Sequence, residues 1–346
     1  MIEIDGSMHS GSGSILRYAV ALATLTGQPL HMTRIRAKRP KPGLRAQHLI
    51  AVTSCCAISG GQVEGAELSS QEIIYRPGET LRGGIFDFDI GTAGSAMMAG
   101  FTLIPSCLFA HEPSQLTITG GLFQDFAPSF FHTQKVLLPL LQRMGADVTL
   151  DMLKPGYVPK GGGKLRVVVN PSRSPLKPLS MVEQGAVRMI RGIAVSSNLS
   201  EQHVSLRMAD RCTAILKERG YHTDVQVMED STAAQRGAAL SVWAETDTGC
   251  LLGADQAGKL GRKSEAIADF VASSLLEDLD SGAATDRHLA DQLILFAALA
   301  DGVSEYSIPR VTEHVTANLW LVQKMLGVNA EVDGHVVRVK GIGYVR

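Results

Sequence analysis

Near the C-terminus, Leu319, Leu321, Val322, Met325 and Leu326 recur at roughly helical spacing ahead of Gly327. The spacing predicts an amphipathic helix over 316–326 that a glycine ends. An extended stretch over 305–308 precedes it, and a helix over 286–299 precedes that. The same order of elements occurs twice earlier. A strand over 2–5, a Gly/Ser turn over 11–14, a helix over 15–26, a strand over 30–35 and a helix over 46–59 make the first set. A strand over 86–90, a turn over 91–95, a helix over 96–110, a strand over 115–119 and a helix over 131–144 make the second. In each set the second helix runs into a glycine and then a strand pair: CCAISGGQVEG, LLQRMGADVTL and VQKMLGVNAEV. Recurrence of element order and of helix-end chemistry is the mark of an internal repeat.

A proline-rich connector, Pro171 to Pro178, follows the second set. The stretch beyond it, with strands near 187–195, 222–228 and 238–245 and helices over 202–219 and 264–279, makes one further α/β unit. Its size is that of an insertion of about a hundred residues. The expected fold is α/β, with three repeated two-helix, four-stranded-sheet units forming a large domain over 1–180 and 280–346. A smaller inserted α/β domain occupies 181–279.

Composition narrows the classes. With 45% apolar residues and 19% charged, the chain is globular rather than disordered. A formal charge of −1 gives no long-range pull on nucleic acid, so any such contact needs a local basic patch. Five cysteines, odd in number and without a C-x-x-C pair, argue against a disulfide framework and against cysteine-held zinc. The first residues read as a strand rather than a signal peptide, and no uncharged run approaches the ~18 residues of a membrane span. A cytoplasmic protein without membrane contact is expected. Monomer or homodimer stays open.

Four stretches carry candidate chemistry. The loop over 34–48 gathers Arg34, Arg36, Lys38, Arg39, Lys41 and Arg45 without an acid. Its prolines and glycine keep it irregular, so several cations can converge on one anion, and guanidinium matches phosphate bidentately. A solvated loop is the plainer alternative. The turns at 11–14 and 91–95 each end a strand and open a helix, where backbone N–H groups favour anions; tight turns also need glycine for geometry alone. The run Gly253 to Leu260 nearly has P-loop spacing but places Leu260 where a hydroxyl is required, so it reads as a decoy. Finally, His288, Asp291 and Gln292 fall at i, i+3 and i+4 on an otherwise apolar helix, where polar groups are costly unless they bind something. His314, near a helix N-terminus, has the position of a neutral, nucleophilic imidazole.

Over essentially its whole length the chain resembles the RNA 3'-terminal phosphate cyclase family. The resemblance rests on IDGS…G.SILR (4–17), IRAKRPKPGLRAQHL (35–49), IGTAGS (90–95), TGG…AP (119–128), GYVPKGGG (156–163), LADQL (289–293) and EHVTAN (313–318). It implies a repeated unit shared with the enolpyruvyl transferases. It also implies a three-step reaction: His314 takes AMP from ATP in the presence of Mg or Mn, passes it to an RNA 3'-phosphate, and the vicinal 2'-hydroxyl then displaces AMP to leave a 2',3'-cyclic phosphate. By the same resemblance Arg17, Arg36, Arg39 and Gln47 hold the RNA-end phosphate, with Arg45 of the basic loop beside them. Pro128, Asp291 and Gln292 belong to the nucleotide pocket.

The chain departs from the family pattern at several of these positions. The turn that usually reads Gly-Glu-Gly-Gly-Gly-Gln is His9-Ser10-Gly11-Ser12-Gly13-Ser14 here, so the metal-binding glutamate is Ser10 and the glutamine is Ser14. A glutamine of the next helix is Phe101, and the tyrosine ahead of LADQ is His288. Loss of a carboxylate removes a hard ligand for the metal. Two other readings therefore stand beside the cyclase: adenylyl transfer to a non-RNA phosphorylated acceptor, and a non-catalytic cyclase-like RNA-binding factor.

Overall fold

A computed structural model describes residues 1–346. The first unit runs β1 (Ile2–Asp5), α1 (Gly13–Thr26), β2 (Leu30–Thr33), α2 (Ala46–Ser59), β3 (Gln62–Glu64) and β4 (Ile73–Arg76). The second runs β5 (Gly84–Asp89), α3 (Ala96–Leu108), β6 (Ser114–Gly120), a helix in two parts, β7 (Asp147–Lys154) and β8 (Gly163–Asn170). That helix comprises α4 (Phe130–His132) and α5 (Leu138–Arg143), joined by a π turn over Thr133–Leu137. The short strand β9 (Ser180–Met181) comes next.

A further sheet follows: β10 (Val187–Ser197), α6 (Val204–Glu218), β11 (Thr223–Asp230), β12 (Gly237–Thr246), β13 (Leu251–Ala257) and α7 (Ser264–Asp280). The chain ends with α8 (Leu289–Leu299), β14 (Asp301–Ser307), α9 (Glu313–Leu326), β15 (Asn329–Asp333) and β16 (Val336–Ile342).

Three sheets share one plan. Their orders are β1-β2-β4-β3, β5-β6-β8-β7 and β9-β14-β16-β15, each with one parallel pair followed by two antiparallel ones. In the third sheet the first strand, β9, is separated from its partner β14 by the whole of β10–α7. The additional unit therefore interrupts the third repeat just after its opening strand. Its own sheet, β11-β10-β12-β13, also has one parallel pair followed by two antiparallel ones, but the later strand of the parallel pair, β11, takes the edge and the earlier one, β10, lies inside.

Alternation sets the inner faces. In β6, Ser114, Leu116, Ile118 and Gly120 are buried while the residues between are half-exposed, the period of two that a one-sided sheet requires. The run that nearly matched a P-loop is mostly strand β13 and supplies no phosphate loop. Glycines 60, 145 and 327, after the second helix of each repeat, have φ of 69°, 96° and 69°, a region where a Cβ is strained.

The helices of the repeats pack on one another, and α1 touches α2, α3 and α9. Every residue of α1 from Gly13 to Leu25 is buried, so this helix is the axis of the core. One continuous cluster of 101 buried apolar residues includes members of the interrupting unit, which is thus packed on the repeats rather than tethered to them. A polar seam completes that docking: Ser129 Oγ lies 2.9 Å from Ser241 Oγ, and Tyr157 Oη 2.8 Å from Ser197 Oγ. No helix is long and apolar enough to cross a membrane.

Candidate active site

The N-terminal ends of α1 and α9 meet at a cavity of about 670 Å³, within the range of a small-molecule site. His314 is the second residue of α9, whose N-cap Thr312 accepts a hydrogen bond from Val315 N–H at 3.2 Å. The half-buried ring reaches across to the start of α1, where Nδ1 lies 3.2 Å from Ser14 Oγ. Burial lowers its pKa below 6.5, and Arg17 and Arg39 add to the effect. The imidazole is therefore neutral at pH 7. The sequence argument reached the same direction through the helix dipole, whereas desolvation is the leading cause.

Cations come from two elements. Arg17, on the first turns of α1, is 6% exposed. Its Nε is buried without a partner. Burial brings its pKa down to about 10, with Asp291 opposing the shift, so it stays charged. A buried, unpaired guanidinium is expensive unless an anion joins it. Arg36 and Arg39 line the same cavity from the basic loop. Arg36 donates from Nη1 to the carbonyls of Lys41 and Gly43, both at 2.7 Å, and so folds the loop back on itself. That fold requires glycine at 43, where φ is 78° and a Cβ would lie 2.2 Å from the Ser69 carbonyl oxygen.

Gln47 joins the first repeat to the second: its Oε1 accepts from Ser95 N–H, 2.7 Å away at the N-cap of α3, which leaves its amide N–H groups for the cavity. Arg45 is exposed at the start of α2 and is not part of the cavity wall.

The opposite wall holds the other candidates. Pro128, His288, Asp291 and Gln292 all line the cavity. Asp291 accepts from Asn318 Nδ2 at 3.2 Å, and burial pushes its carboxyl up to about 7 even with Arg17 nearby. Gln292 Oε1 and Gln124 Oε1, both on the cavity wall, are buried acceptors without partners. Unpaired buried acceptors are rare in native proteins and mark places for a ligand's donors. Phe101 forms an apolar patch, packed against Tyr18 at 5.8 Å and Phe296 at 5.7 Å. At this position the chain thus offers the cavity a hydrophobic surface.

Several lining residues were not singled out from the sequence. Ser12 and Gly13 belong to the recognised Gly/Ser turn, and alternation of serine with glycine was the available signal. His48 closes on Gly13, where a Cβ would sit 2.2 Å from its Nε2. Burial and the surrounding arginines hold its pKa down to about 2, so it stays uncharged. Phe126 is fully exposed at the mouth with φ of 66°. It follows Asp125, which pairs with Arg262 through two bonds of 2.9 and 2.8 Å.

The metal expectation meets a poor donor set. Ser10 stands where the resemblance led to a metal-binding glutamate, and no group of three or more His, Cys, Asp or Glu converges anywhere in the molecule. Of the two carboxylates on the cavity wall, Asp125 is paired with Arg262 and Asp291 is bonded to Asn318. The remaining serine hydroxyls, guanidinium groups and imidazole are not the oxygen-anion cage that Mg or Mn takes from a protein. These residues do not fit a resident divalent ion.

A neutral imidazole at the edge of a guanidinium-lined cavity, inside a repeat-built α/β molecule, is chemistry suited to phosphate-bearing ligands. The family model for RNA 3'-terminal phosphate cyclase matches residues 8–332, and the chain belongs to that family of enzymes. A relative named RNA 3'-terminal phosphate cyclase from Archaeoglobus fulgidus is 39% identical over 98% of this chain and 100% of its own. Relatives with the same name from Methylococcus capsulatus (37%, 100% and 96% covered) and Pyrobaculum neutrophilum (35%, 99% and 99%) align equally completely. Among solved structures, an EPSP synthase from Acinetobacter baumannii is similar at 11% identity with a TM-score of 0.41, over 99% of this chain and 49% of that one.

Proposed function

We propose that the chain converts RNA 3'-phosphate ends to 2',3'-cyclic phosphates at the expense of ATP, through AMP carried on His314. The observation that carries this reading is the placement of one neutral imidazole, its Nδ1 tied to Ser14, beside Arg17, Arg36 and Arg39 in a single cavity. In the first step Nε2 attacks the α-phosphorus; an N–P bond forms, the bond to the bridging oxygen breaks, and pyrophosphate leaves. Arg17 and the loop arginines offset charge on the reacting phosphates. An oxygen of the RNA 3'-phosphate then attacks the same phosphorus, the N–P bond breaks, and the imidazole is restored. In the last step the 2'-hydroxyl oxygen attacks the 3'-phosphorus. AMP departs, and the hydroxyl proton passes to solvent.

Gln47, at the junction of the first two repeats, and Arg39, exposed at the cavity mouth, support the acceptor phosphate in this reading. Pro128, His288, Asp291 and Gln292 support the nucleotide. The buried acceptors of Gln292 and Gln124, both on the cavity wall, suit the amino and hydroxyl donors of adenosine. Any divalent ion arrives as part of the ATP substrate. The repeats form the catalytic body, and residues 181–279 brace it.

Incubation with α-labelled ATP tests the reading. Acid-labile label on the protein, absent from His314→Asn, together with cyclic ends from RNA bearing a 3'-phosphate but not a 3'-hydroxyl, is the expected result. Label that transfers only to a small phosphorylated acceptor would favour the non-RNA reaction instead. Absence of label with retained RNA binding would favour the non-catalytic factor.

A further inference from the structure

The turn between β1 and α1 holds three hydroxyls in one hydrogen-bonded row that ends on His314. Ser10 Oγ lies 3.1 Å from Ser12 Oγ, Ser12 Oγ 2.9 Å from Ser14 Oγ, and Ser14 Oγ 3.2 Å from His314 Nδ1. The three serines are 8%, 1% and 5% exposed, so the row is nearly sealed from water. Helix capping accounts for Ser12, the N-cap of α1, whose Oγ accepts from Ser14 N–H, but not for the hydroxyls of Ser10 and Ser14. The glycines between the serines are forced by contact: a Cβ on Gly11 would meet the Lys38 side chain at 2.6 Å, and one on Gly13 would meet His48 Nε2 at 2.2 Å. The alternate positions are free of that constraint and carry side chains, each with a hydroxyl.

We infer that Ser14, backed by Ser12 and Ser10, is a positioning residue that fixes the tautomer and the aim of His314. The ring donates from Nδ1–H to Ser14 Oγ, and the lone pair of Nε2 is left facing the cavity. Ser14 Oγ–H in turn donates to Ser12 Oγ, which also accepts from Ser14 N–H at 3.4 Å, and Ser12 Oγ–H donates to Ser10 Oγ. All the hydroxyl dipoles then point away from the ring, the orientation that best receives its Nδ1–H.

The row bears on both transfers of the adenylyl group. When the N–P bond forms, the imidazole becomes cationic and its bond to Ser14 becomes charge-assisted, hence stronger in the transition state than before it. A hydroxyl is too weak a base to remove that proton. The adenylylated ring therefore keeps Nδ1–H, and a neutral imidazole, rather than its anion, departs when the RNA phosphate attacks. A carboxylate against Nδ1 would compete for the same proton. Ser10 is the far end of the row and completes the hydroxyl chain. This rests on His314 being the adenylylated residue, as proposed above.

The test compares wild type with Ser14→Ala, Ser14→Thr and His314→Asn. Single-turnover labelling by α-labelled ATP gives the rate and the ATP dependence. Nitrogen NMR of the imidazole in the free protein gives the tautomer without any turnover. The expected result is that Ser14→Ala slows labelling roughly tenfold to a hundredfold, the scale of a misaimed reacting group. The ATP concentration for half-maximal rate should stay within about twofold, because only an interaction strengthened in the transition state is lost. Ser14→Thr should restore the rate, and the ring should be Nδ1–H in wild type but mixed in Ser14→Ala.

Wild-type labelling rate in Ser14→Ala, or an Nε2–H ring in the wild-type protein, overturns the inference while leaving His314 as nucleophile. Label that persists in His314→Asn overturns the nucleophile itself, and the tautomer measurement still reports on the serine row.

Discussion

Two histidines in this molecule, His314 half-buried and His132 fully buried, have opposite partners, and the contrast separates the candidate site from the part that braces it. His314 meets a hydroxyl, and burial among arginines keeps it neutral. His132, on α4, meets a carboxylate: its Nε2 lies 3.0 Å from Asp286 Oδ2, with both side chains at most 1% exposed. Burial works against the imidazolium there too, but Asp286 outweighs it and the pKa of His132 rises. Asp286 is correspondingly held down to about 2. The carboxylate also accepts from Gly253 N–H at 2.8 Å, His288 N–H at 2.7 Å and Leu289 N–H at 2.9 Å. The pair thus ties the second repeat, the interrupting sheet and the start of α8 together. In the proposed reaction one histidine is the group that bonds to phosphorus, and the other is committed to holding the wall that carries Asp291 and Gln292.

Breaking the brace should have the largest effect on stability. Asp286→Ala leaves His132 and three N–H groups without their acceptor, and loss of one partner of a buried ion pair costs about 3–5 kcal/mol. Urea unfolding should show that loss, whereas Ser14→Ala should unfold close to wild type. The pH dependence carries a sign for each partner. Asp286, with a depressed pKa, contributes above 3.8, and the contribution is lost as pH falls toward about 2. His132, with a raised pKa, contributes fully below 6.5 and loses its share as pH rises through the folded value. The stability gap between wild type and Asp286→Ala should therefore narrow in alkaline solution.

On the reactive side, Arg17→Gln should lower single-turnover labelling by about a hundredfold, the usual effect of removing one preorganised donor from developing phosphate charge. An unchanged rate would place Arg17 outside the chemistry. The acid limb of the labelling rate should have its midpoint below 6.5, since burial, Arg17 and Arg39 oppose protonation of His314 while Glu313 only partly offsets them. A midpoint at or above 6.5 would mean a charged environment like that of His132. The smallest change is expected for Arg45→Ala: the side chain is exposed and off the cavity wall, so RNA cyclisation should shift by no more than about twofold, the range of ordinary surface substitutions.

The repeats were legible because their punctuation is local. A helix-ending glycine needs only its own φ, and Gly60, Gly145 and Gly327 announce themselves in one dimension. That the third repeat opens ahead of the inserted unit was not legible, because its first strand, β9, is two residues long and shows no periodicity. In the site, Asp291 and Gln292 could be read from the misfit of polar groups on an apolar helix, and Arg36 and Arg39 from an unbalanced charge run. Arg45 belongs to the same run yet faces solvent, since a charge count carries no direction. The serine row is the clearest limit. Ser10 and Ser14 read as lost glutamate and glutamine, and their link to His314, 300 residues away, exists only after α1 and α9 pack side by side.

Phosphorus NMR of the protein after reaction with ATP, in the absence of RNA, tests the central claim most directly. A single phosphoramidate resonance, assigned to Nε2 of His314 and discharged by RNA with a 3'-phosphate, is the predicted result. A phosphoramidate on Nδ1, on another histidine such as His288, or none at all would contradict it.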